Sequence, residues 1–233
     1  MNIFKYMINK KIEEFKKEKK DRIDINLPLN LKFNSQIEIS KTPFMLSEKM
    51  LIDQPIDDVH IVTGIGKIDL GFDNVFHRFY LEELKNPENK SILQVQAESF
   101  MFFKPYETLD LNDDIVSAFL DETDGLIGLK DFIITDDEKY VYNRISPLPE
   151  KGGRHNVTVN EKTIFDPFGD TGCRVESLQA MYSRDVEGIT EYCLVSRDKI
   201  FVSNYERVTY GDLKEASISI LLGIDLHLTD IKT

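Results

Sequence analysis

The feature that most constrains the fold is a change of pattern after Leu27, where short β-prone runs alternate with turn residues. Such runs favour an antiparallel sheet over alternating βαβ units, because helical spacing is missing between them. The predicted strands are residues 36–39, 59–70, 75–81, 92–97, 130–135, 139–144, 176–183, 190–196 and 200–203. The sequence therefore predicts a twisted antiparallel sheet.

Two segments interrupt this pattern with helix signals. Asn112 precedes an acidic first turn and an apolar face of helical spacing, which predicts a capped helix that ends near Gly125. Asp212 and Glu215 have the spacing of a capping box, and Gly223 would end a helix there, although Ile218, Ile220 and Leu222 also alternate as in a strand. We therefore predict an α+β fold, with two or three helices covering the sheet.

The first 22 residues have a different character from the rest. Phe4, Ile8, Ile12 and Phe15 recur at helical spacing among lysines and glutamates, which predicts one amphipathic helix. Eight Lys/Arg and four Asp/Glu give this segment a net charge of +4, so the remainder of the −12 chain carries −16. We predict a basic helix over residues 1–22 and one α+β domain over 23–233, with a possible division at a long loop near 146–172.

Charge and hydropathy exclude several functions. An acidic chain gains little from neutralising phosphates, so nucleic acid is not expected as a partner. The sequence has no apolar run of membrane-spanning length and no signal-peptide pattern, and its two cysteines have no metal-site spacing. We expect a cytoplasmic protein.

No sequence motif establishes catalysis. Gly64 and Gly66 do not complete a dinucleotide fingerprint, because Asp69 stands at the third glycine position, and a glycine at a strand bulge is the simpler interpretation. The four histidines lack zinc-site spacing, and no nucleophile elbow is present. The sequence thus predicts no cofactor and no metal, and it does not favour an enzyme.

One strand offers an alternative. His77 and Arg78 lie in a polar and aromatic cluster, and strand alternation places His77 and Phe79 on one face and Arg78 and Tyr80 on the other. Arg78 could hold an anion and His77 could move a proton, with Arg154 and His155 added from the 152–170 loop. An enzyme or small-ligand site there competes with a plain packed face, which the pattern favours.

The apolar stripe of the N-terminal helix suggests contact with something else. It could enter a membrane interface, pack on a partner helix or pack on its own domain. Four acidic residues dilute the positive charge, so we expect at most peripheral membrane contact.

The order of signals from Leu27 to the end resembles a bacterial family of unknown function typified by the YjfK protein. The residues that carry this resemblance form six runs, at 27–31, 37–39, 64–71, 77–81, 93–96 and 222–226. The resemblance implies no activity and no catalytic residues. It implies a gene neighbourhood with a phage-shock-protein-A-like coiled-coil protein and small membrane proteins, which suggests an envelope-stress setting. The leading hypothesis is accordingly an adaptor, an interaction module that docks on a membrane-associated stress complex at the inner membrane.

Overall fold

The structure, a computed structural model, describes residues 21–71, 74–120, 129, 131–135, 139–146, 157–202 and 213–233. Within these residues one α-helix, α1, spans Asp113–Leu120, and the Asn112 side chain accepts a hydrogen bond from the Ile115 N–H. The strands are β1 Gln36–Ile39, β2 Val59–Asp69, β3 Val75–Glu83, β4 Lys90–Gln96, β5 Ser99–Asp110, β6 Asp131–Thr135, β7 Lys139–Ser146, β8 Val157–Ile164, β9 Gly172–Val186, β10 Ile189–Val202, β11 Leu213–Leu226 and β12 Ile231–Lys232.

Eight of the strands close into a ring. Neighbours in the ring follow the order β2, β3, β4, β5, β11, β10, β9 and β8, and every pair is antiparallel. Strand β8 completes the circle because it pairs with β9 along one side and with β2 along the other. Strands β1 and β12 extend the sheet beyond β2, while β7 and β6 extend it beyond β9. The result is a closed antiparallel barrel with two short extensions.

The predicted α+β class is therefore wrong. Only the eight residues of α1 form an α-helix in the described part of the chain, so the expected layer of two or three covering helices is not found there. The predicted N-terminal helix over 1–22 lies almost wholly outside the described residues.

The segment predicted as a helix from Asp212 to Gly223 is strand β11. Ile218, Ile220 and Leu222 along it all lie in the hydrophobic core. Gly223 does not end a helix. It faces Phe103 across the β5–β11 pair, where a Cβ atom would lie 2.4 Å from the aromatic ring. The glycine thus makes room for the neighbouring phenylalanine, which is a recognised use of glycine within sheets.

The predicted loop over 146–172 contains strand β8. Val159, Glu161 and Thr163 are buried while the residues between them are exposed, as expected for a strand with one inward face. Prolines and glycines lie at both ends of this stretch, and because these residues are typical of turns, the sequence pattern predicted a loop there. Residues 147–156 lie outside the described part. Strand β5, which the sequence analysis also missed, pairs with β4 and β11.

The sheet has two buried faces. The outer face carries the large hydrophobic cluster, in which Phe79, Leu93 and Phe102 come from successive strands. Residues between 27 and 52, on both sides of the short strand β1, cover this cluster. Among them, the Phe44 ring stands edge-on to Phe102 at a centroid distance of 5.4 Å. The inner face lines the ring, and it is there that charged side chains are buried.

Candidate functional site

A polar cluster lies inside the ring and is centred on Glu161 of β8, which is 2% exposed. Arg78 donates from Nη1 to Glu161 Oε2 at 3.0 Å and from Nε to Gln94 Oε1 at 3.0 Å. The hydroxyl of Tyr80 donates to Glu161 Oε1 at 2.6 Å, and that of Thr163 donates to the same oxygen at 3.0 Å. Charge pairing and four hydrogen bonds thus offset the cost of burying two ions.

Gly66 makes the cluster possible. It lies between Arg78 and Thr163 in the register of three adjacent strands. A Cβ atom at this position would lie 1.8 Å from Glu161 Oε1, so the carboxylate occupies the space that any other side chain would take. Gly64 lies at a register shift between β2 and β3, which agrees with the bulge interpretation of the two glycines.

The electrostatics of the cluster hold each group in one protonation state. Burial acts to lower the pKa of Arg78, but the charge and hydrogen bond of Glu161, with smaller contributions from Tyr80 and Asp198, together outweigh it and raise that pKa above its ordinary value. Burial, together with the nearby Glu161, raises the pKa of Tyr80 well above its ordinary value. Arg78 therefore stays charged and Tyr80 stays a neutral hydrogen-bond donor.

A cavity of about 150 Å³ adjoins this cluster. Its lining comes from β2, β3, β4, β8, β9 and β10, which include strands from opposite sides of the ring, so the cavity lies inside it. Arg78, Gln94 and Gln179 supply its polar groups. The rest of the lining is apolar and consists of Ile68, Leu70, Phe76, Val157, Val159, Met181 and Leu194.

Of the four predicted pocket residues the structure describes His77 and Arg78, which lie on opposite faces of β3. Arg78 lines the cavity, but His77 does not, because it lies on the other face of β3 opposite Lys67 and Val95. Burial, with a smaller effect of the Lys67 charge, lowers the pKa of His77. Arg154 and His155 lie outside the described residues, as do the stripe residues Phe4, Ile8, Ile12 and Phe15.

Sequence reasoning missed Glu161, the centre of the cluster. Two signals pointed to it. The run Val157–Ile164 alternates as a strand does, with an acidic residue in an inward position. Gly66 has no side chain at the register position beside it, which is a common sign of another group approaching closely. Neither signal identifies its partner without the strand pairing.

A second buried carboxylate holds the covering segment. Glu191 is fully buried and accepts hydrogen bonds from the Leu51 and Ile52 N–H groups, both at 2.7 Å. Arg184 donates to it from Nε at 2.7 Å, and the Tyr142 hydroxyl donates at 2.9 Å. Through the Leu51 and Ile52 N–H groups, Glu191 anchors the irregular segment that contains these two residues to strand β10.

An exposed apolar surface lies where the N-terminal segment reaches the sheet. The Ile23 N–H donates to the Pro167 carbonyl at 3.0 Å and so joins that segment to the β8–β9 connection. We call the exposed apolar side chains of these two segments the junction patch: Ile23, Ile25, Phe165 and Phe168, which are 39–50% exposed.

The turn that carries the two phenylalanines is fixed by Asp166. Its carboxylate accepts hydrogen bonds from the Phe168 N–H and from the N–H and hydroxyl of Thr171. Burial acts to raise the pKa of Asp166, but the hydrogen bonds together outweigh it and lower the pKa to about 2. The turn therefore keeps its charged anchor under all ordinary conditions.

The described residues contain neither a group of metal ligands nor a membrane-spanning helix. No three His, Cys, Asp or Glu side chains there are grouped as metal ligands. No helix in the described part of the chain is long and apolar enough to cross a membrane.

Fold and site together define a mainly β protein, built on a closed ring of eight antiparallel strands with a buried ion pair beside an internal cavity. The chain belongs to a family of proteins of unknown function, DUF2491, whose family model matches residues 7–232. No curated protein and no solved structure matches it.

Proposed function

We propose that the protein is an interaction module that docks, from the cytoplasmic side, on a membrane-associated envelope-stress complex. The observation that carries this proposal is the junction patch, because four exposed apolar side chains lie in the two short segments that the Ile23–Pro167 hydrogen bond joins. Contiguous exposed apolar surface is a common property of protein interaction sites.

The partner that fits this surface is a coiled-coil protein of the phage-shock-protein-A type. The apolar stripe of residues 4, 8, 12 and 15 has the spacing that packs against another helix, and the junction patch offers further exposed apolar side chains on the described part of the chain. The resemblance to the YjfK-like family supports this choice, because it implies neighbouring genes for such a protein.

Charge favours contact through the same end of the molecule. Residues 1–22 carry +4 and the rest of the chain carries −16. An anionic inner-membrane surface attracts the first part and repels the second, so a peripheral position with the N-terminal segment toward the membrane is favoured.

The test measures binding to the purified coiled-coil protein. We expect the full chain to bind, and we expect Phe165→Ser/Phe168→Ser and Phe4→Ser/Ile8→Ser/Phe15→Ser each to weaken binding at least tenfold. The matched control is Met45→Ser/Leu46→Ser, which removes two apolar side chains that are 70% and 62% exposed on another segment. This control should bind as the unaltered chain does.

Equal binding by all variants would contradict the proposed surface. A second arm distinguishes lipid from protein by flotation with vesicles of phosphatidylglycerol and phosphatidylethanolamine. If the chain floats without the coiled-coil protein, and the same variants abolish flotation while protein binding is absent, the surface is a lipid surface and the adaptor proposal is wrong.

A further inference from the structure

The cavity inside the ring points to a ligand independently of the junction patch. The cavity has a volume of about 150 Å³ and is partly open to solvent, since its lining residue Leu70 is 41% exposed. An apolar protein cavity of roughly this volume holds a molecule the size of benzene. The ring therefore has room for a ligand of about six non-hydrogen atoms.

Arg78 supplies a hydrogen-bond donor at the cavity wall. Its side chain is 9% exposed, and its Nε and Nη1 groups donate to Gln94 and Glu161. No described residue accepts a hydrogen bond from Nη2. Nη2 is not among the fully buried polar atoms that lack a partner, so it keeps solvent access at the cavity wall. A ligand that brings an acceptor oxygen into the cavity can therefore accept a hydrogen bond from it.

The charges around Arg78 decide what kind of oxygen this is. Glu161 lies on one side, and the negative charge of Asp198 also acts on the guanidinium, so two negative charges accompany one positive charge. A carboxylate or phosphate ligand would be repelled by this surplus.

A cationic ligand is disfavoured for two other reasons. In the cavity it would lie close to the positive charge of Arg78, which repels it. The two carboxylates that would pair with it already accept hydrogen bonds, because Tyr80 and Thr163 donate to Glu161, and the hydroxyls of Ser177 and Ser196 donate to Asp198.

We propose that the cavity binds a small neutral carbonyl compound with a short aliphatic body. The carbonyl oxygen accepts a hydrogen bond from Arg78 Nη2, and the aliphatic part packs against the apolar lining that includes Ile68, Phe76 and Leu194. Ketones, esters and amides of this size share the required chemistry.

The experiment compares three probes of one size that differ in charge: 2-pentanone, butyrate and n-pentylammonium. Methyl-labelled protein is titrated with each probe, and NMR shifts of the Ile68, Val159 and Leu194 methyl groups report on the cavity. The Ile224 methyl groups, in the hydrophobic cluster of the opposite face, serve as the reference.

We expect saturable shifts confined to the cavity methyl groups, with 2-pentanone binding at least ten times more tightly than either charged probe. Equal or tighter binding of butyrate or pentylammonium would overturn the charge argument. Shifts that rise linearly with every probe, or that are as large at Ile224, would overturn the site itself.

Two kinds of variant test the geometry. Leu194→Phe and Val157→Phe each fill the cavity from a different strand and should abolish binding, while the Met45→Ser control should leave it unchanged. The double variant Arg78→Met/Glu161→Gln removes both charges of the pair, which avoids leaving one ion buried alone. It should weaken 2-pentanone binding at least tenfold, and unchanged affinity would rule out Arg78 as the donor.

Discussion

Individual residues in this protein are constrained most strongly where a charge is buried. Glu161 and Arg78 lie inside the ring, and every oxygen of the carboxylate has at least one described donor. Gly66 belongs to the same arrangement although it makes no polar contact of its own, since its missing side chain leaves the space for the Glu161 carboxylate. A glycine can therefore be as important to a buried ion pair as the ions.

This predicts a large effect of Gly66→Ala. The added methyl group would displace the Glu161 carboxylate and leave Arg78 poorly paired, which costs about 3–5 kcal/mol in comparable buried pairs. Chemical denaturation followed by circular dichroism measures the change in the free energy of unfolding.

Gly71→Ala is the matched control for that substitution. Gly71 has a φ of +81° and open space around its Cβ position. Its substitution should cost only the roughly 1–2 kcal/mol of left-handed backbone strain. If Gly66→Ala proves no more destabilising than Gly71→Ala, the cluster does not depend on the glycine.

At the scale of elements, the irregular segment 40–57 depends on anchors supplied by the strands. It has little regular structure of its own, yet it covers the hydrophobic cluster. Glu191 on β10 binds the backbone of Leu51 and Ile52, while Glu83 on β3 accepts hydrogen bonds from the N–H groups of Ile56 and Asp57. Hydrogen bonds to carboxylates on the sheet thus hold this segment, which has no backbone pairing with a neighbouring strand over residues 51–52 and 56–57.

We therefore expect Glu191→Gln to release this segment. The change weakens the hydrogen bonds to two N–H groups and leaves Arg184 without its charge partner, at a cost of about 3–5 kcal/mol. Hydrogen exchange should show lost protection at the Leu51 and Ile52 amides.

Glu187→Gln provides the comparison. Glu187 pairs with Lys49 at 2.6 Å, but its side chain is 50% exposed, so its loss should cost less than about 1 kcal/mol. Equal loss of protection in the two variants would show that the segment is not held by the buried anchor.

For the whole molecule, these anchors predict sensitivity to acid. Burial acts to raise the pKa of Asp24, Asp57 and Glu83, but hydrogen bonds outweigh it and hold all three below their ordinary values. Burial also lowers the pKa of His60, whose ring is wholly enclosed. Each of these groups binds protons more readily in the unfolded chain.

Stability should therefore be complete at neutral pH and should fall as the pH decreases. The His60 contribution begins to decline below its ordinary pKa of 6.5, and the carboxylate contributions decline below about 4.5. Thermal melts between pH 7 and pH 3 measure this trend. A melting temperature that stays constant between pH 5 and pH 3 would contradict it.

Glu83→Gln provides a control for this trend. The variant should melt at a lower temperature at pH 7, because the Ile56 and Asp57 amides lose a charged acceptor. It should also depend less on pH below 4.5, since one titrating carboxylate is gone.

Much of the sheet could be predicted because the signals that define it are local. Seven of the predicted strands correspond to a single strand each, from β1 to β4, β6, β7 and β9, and β10 merges the two remaining predictions. The turn between β9 and β10 also has a local cause, since Glu187 and Gly188 adopt the positive φ values that a two-residue hairpin turn requires. The alternation of apolar and polar residues and the choice of turn residues both depend on neighbours within a few positions, so both can be recognised in the sequence.

The sequence by itself thus determined the antiparallel texture, most strand positions, the capped turn at Asn112 and the separation of a basic segment from an acidic body. The tertiary structure decided that β11 is a strand, that β8 closes the ring and that Glu161 meets Arg78 across Gly66. These features arise from pairing between residues far apart in sequence, 83 positions for Arg78 and Glu161 and more than that between β5 and β11 and between β2 and β8. No local pattern specifies such pairing, because the buried neighbours that stabilise it are brought together only by the complete fold.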